Sequence, residues 1–172
     1  MAIEWTESIV GLVLFFYGVC FFVLGASLIS KKPDLKSVGV FAILAGAASG
    51  IGGVVAMTLG AFIAGTYILI FAVIWLAVGW ILIQGYGLVP IGDYSIYAAI
   101  AMLWYVYAFT QLATDYTLAW SSALFFIVFL CITAATRGWV SLKTLGWVLL
   151  VEAFAALLIP AWLYFMGIAP IT

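Results

Sequence analysis

The stretch Ile9–Ser30 reads IVGLVLFFYGVCFFVLGASLIS and contains no charged residue. A helix needs roughly 20 mainly apolar residues to cross the hydrocarbon core of a bilayer, and this stretch is long enough. Five further stretches share its length and character. The six predicted spans are Ile9–Ser30, Ser37–Leu59, Phe62–Ile83, Tyr94–Ala113, Thr117–Ala135 and Thr144–Met166. The sequence therefore predicts an all-α integral membrane protein with six transmembrane helices.

The composition supports this fold class. Apolar residues make up 69% of the 172 residues and charged residues only 6%, against about 25% charged in an ordinary soluble domain. The joints between the spans are short, so we expect one transmembrane domain over residues 1–172, with any activity inside the bilayer. Residues 1–7 carry no basic run, and we therefore expect no signal peptide.

Several functional classes are disfavoured. A net charge of −1 gives no reason to expect a nucleic-acid partner. Cys20 and Cys131 both lie within apolar spans, and there is no histidine, which excludes histidine-ligated haem and the common zinc sites. We find no metal-ligand cluster, no nucleophile beside a base and no phosphate loop. The sequence therefore predicts neither an enzyme nor a cofactor.

The basic residues indicate the orientation. Every lysine and arginine lies in or beside the joints that follow the first and fifth spans: Lys31, Lys32, Lys36, Arg137 and Lys143. The positive-inside rule makes these joints cytoplasmic. With six spans, both termini are then expected on the extracytoplasmic side of the plasma (inner) membrane.

Two of the joints enter the next span with similar sequences, which suggests an internal repeat. Leu35–Gly39 reads LKSVG, and Leu142–Gly146 reads LKTLG. Ile91–Ser95 is a weaker third copy, and a short polar residue in each could cap the helix. Short helix starts often look alike, so chance similarity is an alternative. A true repeat predicts one helical hairpin used three times around a central passage.

Glu152 is the one ionisable residue deep within a predicted span. At 1.5 Å per residue it lies about 12 Å beyond Thr144. A carboxyl at this depth is costly and normally faces a polar cavity or a partner. It could line a solute pathway, or it could be a neutral carboxyl that ties helices together. Its predicted repeat counterparts are Ala45 and Ala101.

Apolar stripes at helical spacing run along two spans. The first span carries Leu14, Tyr17, Phe21, Leu24 and Leu28, and the third carries Tyr67, Phe71, Trp75 and Val78. Such stripes are usually packing or lipid contacts. Pro160 is expected to kink the sixth span beyond Glu152.

Two parts of the chain, one near its start and one near its end, resemble the AmiS/UreI family of urea and short-chain amide channels. Near the start, Gly11–Gly18 (GLVLFFYG) and Lys32–Ser37 (KPDLKS) resemble the family's first helix and following loop. Near the end, Trp147–Glu152 (WVLLVE) and Ile159–Leu163 (IPAWL) resemble its glutamate-bearing last helix.

The resemblance implies a protomer of three hairpins with its own pore, assembled as a homo-hexamer. The pore-lining positions it implies are Leu14, Tyr17, Phe21, Leu24, Phe71, Trp75 and Glu152. Family members place several tryptophans on the fifth helix, where this chain offers Trp120, with Leu124 and Val128 further along. Acid-gated members carry histidines in long outer loops. This chain has no histidine, and we expect no histidine-based acid gating.

The primary hypothesis is passive permeation of urea, short-chain amides and similar small neutral solutes, linked to a cytoplasmic urease or amidase. One alternative is a proton-coupled transporter that uses Glu152 as the carrier site. Another is a non-transporting membrane sensor or subunit stabiliser.

Overall fold

The structure, a computed structural model, describes residues 5–169, and the side chains from residue 6 onward. Six long apolar helices run through this part of the chain. The helices are α1 (Trp5–Ile29), α2 (Leu35–Thr58), α3 (Phe62–Gln84), α4 (Val89–Tyr107, extended by the π-helical segment Ala108–Leu112), α5 (Tyr116–Thr136) and α6 (Leu142–Glu152), which continues through the π-helical segment Ala153–Leu158 into α7 (Ile159–Phe165).

Each predicted span corresponds to one of these helices, which confirms the all-α membrane fold. The largest difference is at α4, which begins at Val89 where the sequence predicted Tyr94. Pro90 had been assigned to the preceding joint. Proline is well tolerated in the first turn of a helix, because its missing N–H would have no partner there. The predicted placement of the two termini falls on residues 1–4 and 170–172, outside the described residues.

Side-chain caps fix three helix starts, those of α2, α5 and α6; Asp115 caps α5 by accepting from the Leu118 N–H. The carboxylate of Asp34 accepts a hydrogen bond from the Ser37 backbone N–H (3.1 Å), and Ser141 Oγ accepts one from the Thr144 N–H (3.0 Å). The expected caps within the repeated pentapeptides were therefore misplaced. In the first and last copies the capping residue precedes the pentapeptide, since the helix begins at its leucine, and the start of α4 has no side-chain cap. Hydrogen bonds from the side chain and backbone of Ser37 hold the pKa of Asp34 below its ordinary value.

The helices pack as three pairs. α2 packs against α3, α4 against α5, and α6 with its continuation against α1. In two of them, facing glycines bring the backbones together. A Cβ added at Gly79 would lie 2.6 Å from the Gly39 carbonyl oxygen, and one added at Gly25 would lie 2.7 Å from the Gly146 carbonyl oxygen. The third pair is thus formed by the first and last spans, which are not consecutive in the chain.

In the α4–α5 hairpin, the equivalent close contact is between Gly92 and Thr133. The Thr133 hydroxyl of α5 donates a hydrogen bond to the Gly92 carbonyl (3.0 Å). Gly39, Gly92 and Gly146 are therefore equivalent, at separations of 53 and 54 residues. This near-constant spacing supports the internal repeat. It also shifts the alignment of the third copy by three residues, because Gly92, and not Ser95, is the residue equivalent to Gly39 and Gly146. The α4 counterpart of Glu152 is accordingly Ala98, not Ala101.

Pro160 leaves a carbonyl without a helical donor, and α5 supplies the missing hydrogen bond. Proline has no N–H, so Pro160 can serve neither the Ala156 carbonyl four residues earlier nor the Ala155 carbonyl five residues earlier. The second pairing is that of the π-helical register, in which the Ile159 N–H binds the Phe154 carbonyl. Ser121 Oγ donates to this carbonyl (2.7 Å), and Trp120 Nε1 donates to the neighbouring carbonyl of Ala155 (3.1 Å). The distortion predicted at Pro160 thus takes the form of a π-helical segment that begins directly after Glu152.

Candidate functional site

Aromatic rings from α1, α3 and α5 meet in the middle of the bundle. They occupy equivalent positions 54 residues apart, in two successive tiers. All six are nearly fully buried, between 0% and 4% exposed. We call these residues the aromatic cluster: Tyr17, Phe71 and Phe125 in the first tier, and Phe21, Trp75 and Phe129 in the second.

The two tiers are in direct ring contact. The centroids of Phe71 and Phe125 are 4.5 Å apart, and those of Phe21 and Trp75 are 5.1 Å apart. Phe21 and Phe125 link the tiers at 5.5 Å. These separations are typical of favourable edge-to-face or tilted aromatic pairs. The cluster therefore closes the centre of the bundle with flat aromatic walls.

On one side of the cluster lies a cavity of about 430 Å³, which we call the acidic vestibule. Its walls include Val10, Ala64 and Leu118, which are again 54 residues apart, and the carboxylates of Glu7 and Asp115. We call this end of the bundle the acidic end. Lysine and arginine lie in or beside the joints at the opposite, basic end.

Asp115 is the most constrained group of the vestibule. Its carboxylate caps α5 by accepting from the Leu118 N–H (3.0 Å), and it also accepts a hydrogen bond from the Tyr164 hydroxyl. Burial raises the pKa of Asp115, and the hydrogen bond from Tyr164 opposes this effect without cancelling it. The pair ties the end of α7 to the start of α5 at the wall of the vestibule.

On the other side of the cluster, two adjoining cavities of about 40 and 70 Å³ lead toward the basic end. We call them the apolar funnel, because the surface they expose is apolar. Two polar side chains belong to their walls, Trp75 and Thr136. The Thr136 hydroxyl donates to the Thr133 carbonyl. Three tiers of equivalent residues line the funnel: Leu24, Val78 and Ile132; Leu28, Leu82 and Thr136; and Leu35, Leu88 and Leu142.

Buried polar atoms without a hydrogen-bond partner lie at the aromatic cluster. They include Trp75 Nε1, Glu152 Oε1 and the Tyr67 hydroxyl, which interacts with the Ser122 hydroxyl without the geometry of a hydrogen bond. Tyr67 packs on Phe71 with ring centroids 5.1 Å apart, and the Glu152 carboxyl is among its electrostatic neighbours. Buried polar groups in native proteins are nearly always paired, with protein atoms or with bound molecules. These atoms therefore leave unpaired hydrogen-bonding groups beside the aromatic rings.

The structure brings most of the predicted site residues together. Tyr17, Phe21, Phe71 and Trp75 form part of the aromatic cluster, Leu14 is buried beside them, and Leu24 lines the funnel. Glu152 is buried at 5% exposure. Their roles in a pathway stay predictions.

On the fifth helix, the predicted residues lie outside the aromatic cluster. Trp120 is 56% exposed on the outside of the bundle, where its indole N–H holds the Ala155 carbonyl. Leu124 is only partly buried, and Val128 is buried in the core without belonging to the aromatic cluster. The residues that α5 contributes to the cluster are Phe125 and Phe129, one position further along. The 54-residue spacing from Tyr17 and Phe71 would have identified Phe125.

No metal site accompanies these groups. Within residues 5–169, no group of three or more His, Cys, Asp or Glu side chains is arranged to hold a metal ion.

Comparison with known proteins places the chain in a family. The model of the AmiS/UreI family of transporters matches residues 9–168. The chain belongs to the AmiS/UreI family. This membership confirms the resemblance read from the sequence, and it identifies a transport protein of the membrane, not an enzyme.

Solved structures in the same fold include two of the Helicobacter pylori urea channel. Its crystal structure has 21% sequence identity and a TM-score of 0.78, over 92% of this AmiS/UreI chain and 98% of that chain. A cryo-electron microscopy structure of its closed state also has 21% identity, with a TM-score of 0.75 over 91% and 97% of the respective chains. A search of curated proteins finds no match.

Proposed function

We propose that this AmiS/UreI protein is a passive channel for urea, short-chain amides and similar small neutral solutes. The observation that carries the proposal is a line of three features along α1, α3 and α5: the acidic vestibule, the aromatic cluster with unpaired polar atoms, and the apolar funnel. Family membership and the likeness to a urea channel support it.

The aromatic cluster suits flat, neutral molecules. A planar solute can slide between rings that tilt aside, whereas an ion would lose its hydration shell in a low-dielectric site at a large free-energy cost. The Tyr67 hydroxyl can donate or accept a hydrogen bond, Trp75 Nε1 can donate, and the Glu152 carboxyl can accept. These three groups would replace part of the water that the solute leaves behind.

One observation favours a second candidate, a proton-coupled transporter. Glu152 is a buried carboxyl whose Oε1 has no partner, as a proton carrier would require. Such a mechanism also needs a relay of titratable groups. Among the described residues the other carboxylates, Glu7, Asp34, Asp93 and Asp115, lie in the joints or the terminal turns of helices. The channel is therefore the better-supported function.

Stopped-flow swelling of proteoliposomes tests both candidates. For a channel, we expect the flux of urea and acetamide to rise linearly with concentration and to ignore a pH gradient. Saturating flux with proton movement would instead identify the transporter. A protein that gives no swelling above that of empty liposomes would be the non-transporting sensor or stabiliser, and the proposal would then be wrong.

We further propose that the basic end faces the cytoplasm and that the protein lies in the plasma (inner) membrane, with both termini outside. The distribution of lysine and arginine supports this orientation. Cys20 is buried and Cys131 half-buried, so a cysteine introduced at exposed Trp139 can be labelled selectively. Labelling of intact cells by an impermeant maleimide at this position would contradict the orientation.

We propose a homo-hexamer in which each protomer has its own pathway. The family resemblance suggests it, and the outer face of α4 is compatible with a protein neighbour. Tyr97, Trp104 and Tyr107 are all more than half exposed on that face, and tyrosine hydroxyls find better partners in protein than in lipid tails. Native mass spectrometry from nanodiscs should give six copies. A cytoplasmic urease or amidase would consume the imported solute.

We also propose that histidine-based acid gating is absent. The chain contains no histidine, the side chain whose unperturbed pKa places its charge change between about pH 5 and 8. Urea flux should therefore show no steep change across this range. A steep, cooperative rise in flux on acidification would contradict this proposal.

A further inference from the structure

The two halves of the candidate pathway differ in their chemistry. The unpaired polar atoms of Tyr67, Trp75 and Glu152 lie at the aromatic cluster or on its vestibule side. Ser27 Oγ is also unpaired and lies on α1 between Leu24 and Leu28, but Ser27 is not part of the funnel wall. Beyond the cluster, the funnel offers no polar surface to a solute. A molecule that crosses the funnel therefore keeps its own hydrogen-bonding groups unpaired, or pairs them with the few waters that accompany it.

This asymmetry acts differently on urea and on alkyl amides. Both are flat and carry a carbonyl and an amino group. Urea has a second amino group where acetamide has a methyl group. An unpaired polar group in an apolar site is unfavourable, while a methyl group there is favourable. The funnel thus penalises the second amino group, which is the one difference between the two molecules.

The funnel also limits the size of the alkyl group. Its two cavities, of about 40 and 70 Å³, are each equivalent to only one or two water molecules in volume. Val78 and Ile132, from facing helices, narrow both cavities together with Leu24. A methyl or ethyl group fits this space, and longer chains would have to displace the wall.

We propose that the apolar funnel makes this protein select short alkyl amides over urea, with Val78 and Ile132 as specificity-determining residues. The inference rests on the proposed channel function, whose failure would appear separately as an absence of flux for every solute.

The test compares acetamide and urea in the same proteoliposomes, after subtracting the permeability of empty liposomes of the same lipid. The wild-type protein should pass acetamide about tenfold faster than urea, the factor expected for one uncompensated amino group. Flux of both solutes with urea equal to or faster than acetamide would overturn the inference while leaving the channel intact.

Two variants locate the selectivity in the funnel. Val78→Thr and Ile132→Thr each place a hydroxyl on its wall, and each should lower the acetamide-to-urea ratio by about threefold, because the hydroxyl pairs with the second amino group. Val73→Thr is the matched control, on the same helix as Val78 but 55% exposed on the outer face; its ratio should equal that of the wild type. Val78→Thr and Ile132→Thr proteins that conduct with an unchanged ratio would show that the funnel does not select. The wild-type ratio decides the selectivity itself even if one variant fails to insert.

Discussion

The hydrogen bond from Ser121 to the Ala156 carbonyl should compensate for the donor that Pro160 lacks. Ser121 is fully buried, and its Oγ is 2.7 Å from the Ala156 oxygen. In Ser121→Ala, this carbonyl loses its side-chain donor. An unpaired buried polar group costs about 1–3 kcal/mol in soluble proteins, but side-chain hydrogen bonds within membranes average only about 0.6 kcal/mol, with a maximum of about 1.7. We therefore expect a loss of about 1 kcal/mol.

The assay is a double-mutant cycle on thermal unfolding in detergent. A loss of about 1 kcal/mol corresponds to a decrease in Tm of about 2–4 °C for a chain of this size. Pro160→Ala restores a backbone N–H four residues after Ala156, so Ser121→Ala should cost little in that background. The difference between the two costs measures the coupling directly.

Ser122→Ala is the matched control for this cycle. Ser122 is also fully buried, but its hydroxyl donates to the Leu118 carbonyl of its own helix (2.7 Å). Its cost should be the same with proline or alanine at position 160. If Ser121→Ala lowered Tm equally in both backgrounds, the idea that Ser121 replaces the missing proline donor would be refuted.

Three further predictions concern the pathway and the packing. Glu152→Gln should keep solute flux within about twofold of wild type, because an amide can still pair with the solute. Glu152→Leu removes this pairing and should lower the flux about tenfold. Loss of flux in Glu152→Gln would point to an essential charge and to proton coupling. Burial raises the pKa of Asp115 above its unfolded value, so the folded state takes up a proton more readily, and Tm should rise as the pH falls from neutral toward the carboxyl range. Asp115→Asn should flatten this rise, and a Tm profile identical to wild type would exclude Asp115 as its source. Gly79→Ala should destabilise the α2–α3 hairpin by about 1–3 kcal/mol, because its Cβ would lie 2.6 Å from the Gly39 carbonyl oxygen. Gly50→Ala, with a nearest neighbour at 3.8 Å, should be neutral or stabilising, and equal Tm changes at the two glycines would contradict the close-packing argument.

The number and approximate limits of the helices were predictable because lipid imposes them. Each span must keep its backbone hydrogen bonds internal and its surface apolar over the thickness of the bilayer. The start of α4 was the exception. Gly85–Pro90 contains two glycines and a proline, which are typical of a joint, yet Val89 and Pro90 already belong to the helix. Proline is ambiguous at such a boundary, since it ends one helix as readily as it begins another.

The inward face of each helix was much harder to predict. In a soluble protein, polar residues mark the outer face of a helix. Here the outer face meets lipid, so exposed Leu130 and Ile127 look the same in sequence as buried Phe129. Leu124 and Val128 on α5 therefore stay predictions for the pathway, and the aromatic cluster instead contains Phe125 and Phe129, one position further along. Only the repeat distinguishes them, because residues 54 apart occupy equivalent positions around the centre of the bundle.

The pairing of α1 with the last span has a consequence for biogenesis. During synthesis, α2 meets α3 and α4 meets α5 almost as soon as each pair leaves the ribosome. α1 is made first, but its glycine partner at position 146 arrives only with α6. The close-packing face around Gly25 therefore stays without its partner in the nascent chain until the bundle is nearly complete. A chain cut short before α6 would retain the α2–α3 and α4–α5 hairpins, and α1 would keep its contact with α2 while its Gly25 face stayed uncovered.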